Sequence, residues 1–137
     1  VGTFSNQDDF LKLGLSHHSF GYFSDRSKLV ECFQMSDLFV SPSIADAGPM
    51  MVNESIMCGT PVVAFNVGVA NDLIVNGKSG FVVPSGDTAA LSDAIVKVLS
   101  LSQEDSKELS NQTRNLALSL CSYDGYEKKI RTIFESK

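Results

Sequence analysis

The stretch DAGPMMVNESIMCGTPVVAF, residues 46–65, carries the boundaries of one helix and of the strand that follows it. Proline in the first turn and glycine just after the last turn are typical of helix ends, so a helix is predicted from Pro49 to about Cys58, stopping at Gly59. The apolar run PVVAF has the length and composition of a buried strand. The stretch therefore predicts a crossover helix that leads into a strand, as in a parallel sheet.

Short apolar runs alternate with helix-length segments along the rest of the chain as well. VGTF, HSFGYF, DLFVSPS and GFVVP are predicted strands, which makes five with PVVAF. Ser24 is the predicted N-cap of the helix in SDRSKLVECFQMS, and Asp87 that of a helix reaching about Leu99. Two more helices are predicted near 103–120 and 123–135. The pattern predicts an α/β fold, a doubly wound parallel sheet in a single domain.

The composition is that of a globular protein, with 43% of the 137 residues hydrophobic and 20% charged. The net charge of −5 argues against a nucleic-acid partner, because such proteins carry a basic surface. Cys32, Cys58 and Cys121 lack the spacing of a metal site or a disulfide pair, so they are predicted to be reduced core thiols. No run approaches the ~18 apolar residues of a membrane span. We therefore expect a soluble, cytoplasmic protein.

The loop and first turn ahead of the predicted helix have the character of a ligand site. In an open α/β sheet, ligands bind at the carboxyl ends of the strands, where helix N-termini attract anions. The backbone N–H groups of Gly48, Met50 and Met51 are expected to face such a ligand, and Pro49 has no N–H group to leave unpaired. Asp46 lies where either a helix cap or a ligand contact belongs, and both interpretations stay open.

Glu54 lies within the same helix, eight residues after Asp46 and among residues that are predicted to be buried. A buried carboxylate normally has a partner, which could be a ligand or a protein N–H or hydroxyl group. No lysine or arginine lies between Lys28 and Lys78. If a diphosphate binds at this helix, its charge must be met by helix and backbone dipoles or by cations from elsewhere in the protein.

The segment SDLFVSPSIADAGPMMVNESIMCGTPVVAFNVGVANDLIVNGKSGFVVPSGDTAALSDAI closely resembles the C-terminal donor-binding domain of retaining glycosyltransferases of the group 1 (family four) type. The likeness runs from roughly Phe20 to Ile95, with weaker support from CSYDGYEKKI in the tail. The family pattern is an acidic residue, seven residues, a glutamate and a helix of small residues that ends in CGTPVV. Asp46 and Glu54 occupy its two acidic positions.

The resemblance implies a fold and a role for each matching residue. The fold is the Rossmann-like half of a GT-B enzyme, and the ligand is a nucleotide-diphospho-sugar, with no cofactor and no metal. Asp46 is the catalytic candidate and would hold hydroxyls of the donor sugar. The substrate-binding residues would be Gly48, Pro49, Met50 and Met51 for sugar and diphosphate oxygens, Glu54 for the ribose hydroxyls, and Tyr22 and Phe23 beside the base.

Family members have a second, N-terminal domain that holds the acceptor, together with a basic pair on the donor diphosphate, and neither matches this chain. The resemblance thus implies that residues 1–137 are a C-terminal domain truncated at its N-terminus, without its first strand and helix. The remaining strands would take the flavodoxin-like order 2-1-3-4-5, with residues 1–4 pairing beside LFVSPS. If that strand does not form, the exposed sheet edge would invite a homodimer.

The activity implied is transfer of a sugar with retention of configuration to a glycan or lipid-linked acceptor, as in surface-polysaccharide synthesis. The full-length protein would be the active enzyme, in the cytoplasm or peripherally attached to the membrane, whereas the fragment alone would be inactive. Two alternatives stay open. One is a non-catalytic nucleotide- or phosphate-binding module, and the other is a nucleotide-sugar epimerase or a phosphorylase on the same architecture.

Overall fold

The computed structural model describes residues 12, 14, 16–46, 48 and 50–135, except the side chain of residue 129. No helix in these ranges is long and apolar enough to cross a membrane. The last three helices end within one residue of their predicted ends. The elements in chain order are α1 (Arg26–Gln34), β1 (Phe39–Ser41), α2 (Met50–Met57), β2 (Val62–Phe65), α3 (Ala70–Leu73), β3 (Gly80–Val83), α4 (Thr88–Leu99), α5 (Gln103–Cys121) and α6 (Tyr123–Glu135).

The three strands form one parallel sheet in the order β1-β2-β3. Phe39 of β1 lies beside Val62 of β2, which lies beside Gly80 of β3. These are the predicted strands DLFVSPS, PVVAF and GFVVP, and they are neighbours as predicted. A helix connects each strand to the next, because parallel strands need a crossover connection. The structure confirms an α/β fold with a parallel sheet.

Helices cover both faces of the sheet, and successive residues of β2 face opposite sides. All four residues of β2 are buried. On one face, Val62 and Ala64 pack against α2, α3 and the end of α5. On the other face, Val63 and Phe65 pack against α4 and the start of α5. The helix residues in these two clusters are Val52, Ile56, Ala70 and Ala117 on the first face, and Leu91, Ala94, Val98 and Leu109 on the second.

Hydrogen bonds from the CGTP sequence join α2 to its surroundings. Gly59 has a φ of +85°, a left-handed conformation that glycine adopts readily and that ends the helix as predicted. The buried Thr60 hydroxyl donates to the Phe33 carbonyl at the end of α1, with 2.6 Å between the oxygens. The buried Ser55 hydroxyl donates to the Thr60 carbonyl at 3.0 Å. These bonds hold α1 and α2 in place against β2.

The turn at residues 76–79 protects the outer edge of β3. The Asn76 side-chain oxygen accepts a hydrogen bond from the Val82 N–H at 2.8 Å, and the Gly77 N–H donates to the Gly80 carbonyl at 2.9 Å. Backbone groups that are already bonded cannot pair with a further strand. The NGKSG sequence therefore forms a turn, and this turn also closes part of the sheet edge.

The predicted strand HSFGYF is wrong, since residues 18–23 form an irregular segment. Gly21 has a φ of +66°, which interrupts an extended backbone. The Phe20 ring packs against Phe23 instead, with 6.0 Å between the ring centroids. The predicted strand VGTF and the pairing of residues 1–4 lie outside the described residues.

The N-cap of α1 is Asp25 rather than the predicted Ser24. The Asp25 carboxylate accepts a hydrogen bond from the Ser27 N–H at 2.9 Å and a second from the Ser27 hydroxyl at 2.8 Å. Serine and aspartate are both good N-caps, and the choice between neighbours depends on where the chain turns into the helix. The bonds to Ser27 hold the Asp25 pKa below its ordinary value, because they stabilise the carboxylate.

The cysteines differ in burial from the sequence prediction. Cys32, Cys58 and Cys121 are half-buried rather than core residues, and they form no disulfide with one another.

Candidate functional site

The loop between β1 and α2 carries Asp46 at the carboxyl edge of the sheet. The exposed Asp46 carboxylate accepts a hydrogen bond from the Gly48 N–H at 2.9 Å. The Gly48 N–H is therefore bonded within the loop, and its contact with a ligand stays a prediction. One Asp46 oxygen shapes the loop, and the carboxylate stays accessible to solvent. Pro49 lies outside the described residues.

The head of α2 offers backbone donors beside this loop. The first N–H groups of a helix have no partner within the helix, and they carry the positive end of the helix dipole. Met50, the first residue of α2, is 64% exposed, and Met51 is half-buried. The structure thus puts both methionines at an accessible helix N-terminus, which suits phosphate or hydroxyl oxygens.

Glu54 is half-buried, so the prediction that it is buried in the core is wrong. The residues of α2 that face the core are Val52, Ser55 and Ile56. The Glu54 carboxylate forms no hydrogen bond or ion pair with the described residues. Its neighbour Asn53 has a buried Oδ1 that also lacks a hydrogen-bond partner in the described part of the chain. The helix therefore presents two unpaired acceptors in succession.

Glu54 lines a cavity of about 360 Å³ together with two arginines, Arg26 of α1 and Arg114 of α5. Cys58 lies in the same cavity, and burial raises the pKa of its thiol. The Arg114 charge acts in the opposite direction, and the negative charge of Glu54 raises the Cys58 pKa further. The site therefore holds cations that the sequence interpretation missed, because neither arginine lies near Glu54 in the chain.

Tyr22 and Phe23 lie just before α1, in the irregular segment. The Tyr22 side chain is 82% exposed, whereas Phe23 is half-buried against Phe20. They precede Arg26, which lines the Glu54 cavity, by only a few residues. Neither Tyr22 nor Phe23 lines the Glu54 cavity, and their role beside a base stays a prediction.

Within residues 16–46, 48 and 50–135, no three histidine, cysteine, aspartate or glutamate residues are grouped closely enough to hold a metal ion.

The sequence profile of the family "Glycosyl transferases group 1" matches residues 3–116. The chain therefore belongs to this family, and the resemblance seen in the sequence is confirmed. The N,N'-diacetylbacillosaminyl-diphospho-undecaprenol alpha-1,3-N-acetylgalactosaminyltransferase of Campylobacter jejuni is 32% identical over 85% of this chain and 29% of its own length. The phosphatidyl-myo-inositol mannosyltransferase of Mycobacterium leprae is 35% identical over 47% of this chain and 17% of its own length.

Two solved structures share this fold. HepE of Anabaena, crystallised with UDP and glucose, superposes with a TM-score of 0.72 at 21% identity over 95% of this chain and 35% of its own. The sucrose-phosphate synthase of Thermosynechococcus elongatus superposes with a TM-score of 0.69 at 24% identity, over 85% of this chain and 30% of its own. The likeness confirms the predicted fold. The chain spans about a third or less of each of these four proteins.

Proposed function

We propose that this chain is the nucleotide-sugar-binding domain of a glycosyltransferase, and that the full-length protein transfers a sugar from a nucleotide-diphospho-sugar with retention of configuration. The observation that carries the proposal is the pair Asp46 and Glu54 at the head of α2. One carboxylate is exposed in the loop after β1, and the other forms no bond to the described residues. Both are therefore available to accept hydrogen bonds from sugar hydroxyls.

The diphosphate, the ribose and the transferred sugar would each find a complementary group in this site. The N–H groups at Met50 and Met51, with the helix dipole behind them, suit the oxygens of a diphosphate. Glu54 suits the two ribose hydroxyls, since an ionised carboxylate accepts hydrogen bonds and donates none. Asp46 suits the hydroxyls of the sugar that is transferred. The UDP and glucose bound to HepE, a protein of the same fold, support a nucleotide-sugar as the donor.

The chemical demand on the site is to stabilise the diphosphate as it leaves. Negative charge develops on that group while the sugar becomes oxocarbenium-like, so cations and backbone donors near it lower the barrier. The α2 N–H groups provide one such contact. Arg26 and Arg114 line the Glu54 cavity and make that side of α2 more positive. A glycosyltransferase of this kind would complete the charge balance with groups from the rest of the protein.

The acceptor would be held by a second domain. This chain spans 29% of the Campylobacter enzyme, so that relative is long enough to contain a second domain. That relative is named for an undecaprenol-linked saccharide, which supports a glycan or lipid-linked acceptor and a role in polysaccharide synthesis. Nucleotide-sugars are the donors in this scheme, so the domain would work in the cytoplasm.

The test is a donor and product assay on the full-length protein. Thermal shift with UDP and GDP identifies the base, and release of the nucleoside diphosphate is then followed with UDP-glucose, UDP-N-acetylglucosamine and GDP-mannose. We expect one base to stabilise the protein, and a lipid-linked saccharide to receive the sugar. Proton NMR of the product reports its anomeric configuration.

Each other outcome of this assay has a distinct meaning. Binding without transfer would identify a nucleotide-binding module. An epimerised sugar or a sugar 1-phosphate as product would identify an epimerase or a phosphorylase. Absence of binding to both nucleotides at millimolar concentration would overturn the proposal.

A further inference from the structure

A groove beside β3 lies apart from the donor site. Its volume is about 520 Å³, and it runs along β3 from Asn76 to Pro84. Asn66, which comes directly after β2, and Asn71 of α3 also line it. Small-molecule sites span roughly 300–1,000 Å³, so the groove is large enough for a ligand.

Carboxamides supply the polar groups of this groove. Asn76 is held in place by its hydrogen bond from the Val82 N–H at 2.8 Å, so its amide nitrogen is left to donate to a ligand. Asn66 and Asn71 are exposed, and their side chains bond to none of the described residues. A carboxamide both donates and accepts hydrogen bonds, as a sugar hydroxyl does. The polar groups therefore match hydroxyls better than they match ions.

The rest of the lining is apolar and uncharged. Ile74 is 5% exposed, and Val82 and Val83 are half-buried in β3. Among the residues that the structure describes, no aspartate, glutamate, lysine, arginine or histidine lines the groove. Arginine and lysine form the strongest hydrogen bonds to phosphates and carboxylates, so a groove without these charged donors favours an uncharged ligand over an anion. An uncharged sugar ring has hydroxyls on its rim and C–H groups on its faces. It therefore matches both the carboxamides and the apolar lining of this groove.

The groove reaches the same edge of the sheet as the donor site. Asn66 and Pro84 follow the carboxyl ends of β2 and β3, and the Asp46 loop follows that of β1. Neighbouring strands are about 4.8 Å apart, so β3 lies roughly 10 Å from β1. A sugar in the groove would be outside the donor site and close enough to belong to a longer saccharide.

We propose that the groove lined by Asn66, Asn71 and Asn76 binds an uncharged sugar ring of a saccharide other than the donor. The assignment rests on the lining of the groove alone. Only its use for an acceptor or a product rests on the proposed function.

The test measures saccharide binding by the full-length protein with isothermal titration calorimetry, using maltotriose and chitotriose as uncharged probes. We expect at least one probe to bind, and the double variant Asn66→Ala/Asn71→Ala to bind it at least tenfold more weakly. Asn115→Ala, an exposed asparagine of α5, is the matched control and should bind as the wild type does. Unchanged thermal unfolding of the double variant would show that the fold is intact.

A competition experiment separates this site from the donor site. Binding of the saccharide should persist when the protein is saturated with UDP. Displacement by UDP, equal affinity in the double variant, or no binding of either probe at millimolar concentration would overturn the proposal. Failure of UDP to bind would count against the donor site alone and leave the calorimetric comparison of the variants valid.

Discussion

The Thr60 hydroxyl donates a hydrogen bond to the Phe33 carbonyl, 2.6 Å away and 27 residues earlier in the chain. This bond connects the end of α1 to Thr60, which lies two residues before β2. It therefore holds α1 in a fixed position relative to the sheet and to α2, the helix that carries Glu54. Both residues are nearly inaccessible to solvent. A buried bond of this kind contributes more than an exposed one because water cannot replace it.

Thr60→Val should lower the free energy of unfolding by about 1 kcal/mol, the net value of a typical hydrogen bond, since valine keeps the shape and loses the donor. Urea denaturation measures the change. Thr132→Val is the matched control, because the exposed Thr132 hydroxyl also bonds to a backbone carbonyl, that of Lys128 at 2.9 Å. The control should change stability by less than about 0.5 kcal/mol. Equal losses in both variants would contradict the role given to burial.

Asp25 should make the start of α1 sensitive to acid. Its pKa in the folded protein is below the ordinary value of 3.8, so the carboxylate contributes stability above that pH. The contribution is lost as the pH falls below 3.8 and through the folded pKa. Ser27→Ala removes the hydroxyl donor and should raise the Asp25 pKa, as measured by carbon NMR of the carboxyl group. Ser24→Ala should leave it unchanged, and a shift in that variant would favour Ser24 as the cap.

Cys58 reports the charges in the cavity that it shares with Glu54 and Arg114. Burial raises the pKa of the Cys58 thiol, so it should react slowly with iodoacetamide at neutral pH. Arg114→Gln should slow the reaction further, because the positive charge favours the thiolate. Glu54→Gln should accelerate it, because the negative charge opposes the thiolate. Mass spectrometry of the modified peptide gives the rates. Identical rates in all three proteins would show that the two charges do not reach Cys58.

Glu54→Gln should also weaken donor binding in the full-length protein by tenfold or more. The loss of a hydrogen bond to a charged group corresponds to about 1.5–3 kcal/mol, and about 1.4 kcal/mol is tenfold in affinity. Titration calorimetry with the nucleotide-sugar measures it. Glu31→Gln, an exposed glutamate of α1, serves as the control for the change in net charge. Unchanged donor affinity in Glu54→Gln would remove Glu54 from the site.

Two substitutions of Asp46 separate its structural contact from its proposed contact with the sugar. Asparagine keeps an oxygen that can accept from the Gly48 N–H, whereas alanine does not. If the charge acts on the donor sugar, the Asp46→Asn variant should have a kcat lower than that of the wild type by about tenfold or more. The variant should still unfold at the wild-type temperature. Asp46→Ala should lose activity and also loosen the loop. Full activity in Asp46→Asn with loss only in Asp46→Ala would mean that Asp46 serves the loop alone.

Local signals in the sequence predict much of this fold. Gly59 ends α2 and Asp87 begins α4, where its carboxylate accepts from the Ala90 N–H at 2.9 Å. Caps and turns act over a few residues, so they are readable without the fold. HSFGYF failed as a strand because a strand needs a neighbour, and apolar composition alone does not provide one. The burial of Glu54 was predicted wrongly because the buried side of a short helix depends on which elements cover it.

The sequence alone determined that a loop carboxylate and a helix glutamate stand eight residues apart at the start of α2, because that spacing belongs to one continuous segment. It also predicted that β1, β2 and β3 are parallel, because helices connect them. Only the tertiary structure decided that Arg26 and Arg114 share a cavity with Glu54 and that the asparagines beside β3 line one groove. Such contacts join segments that are distant in the chain, and they exist only once the helices have packed on the sheet.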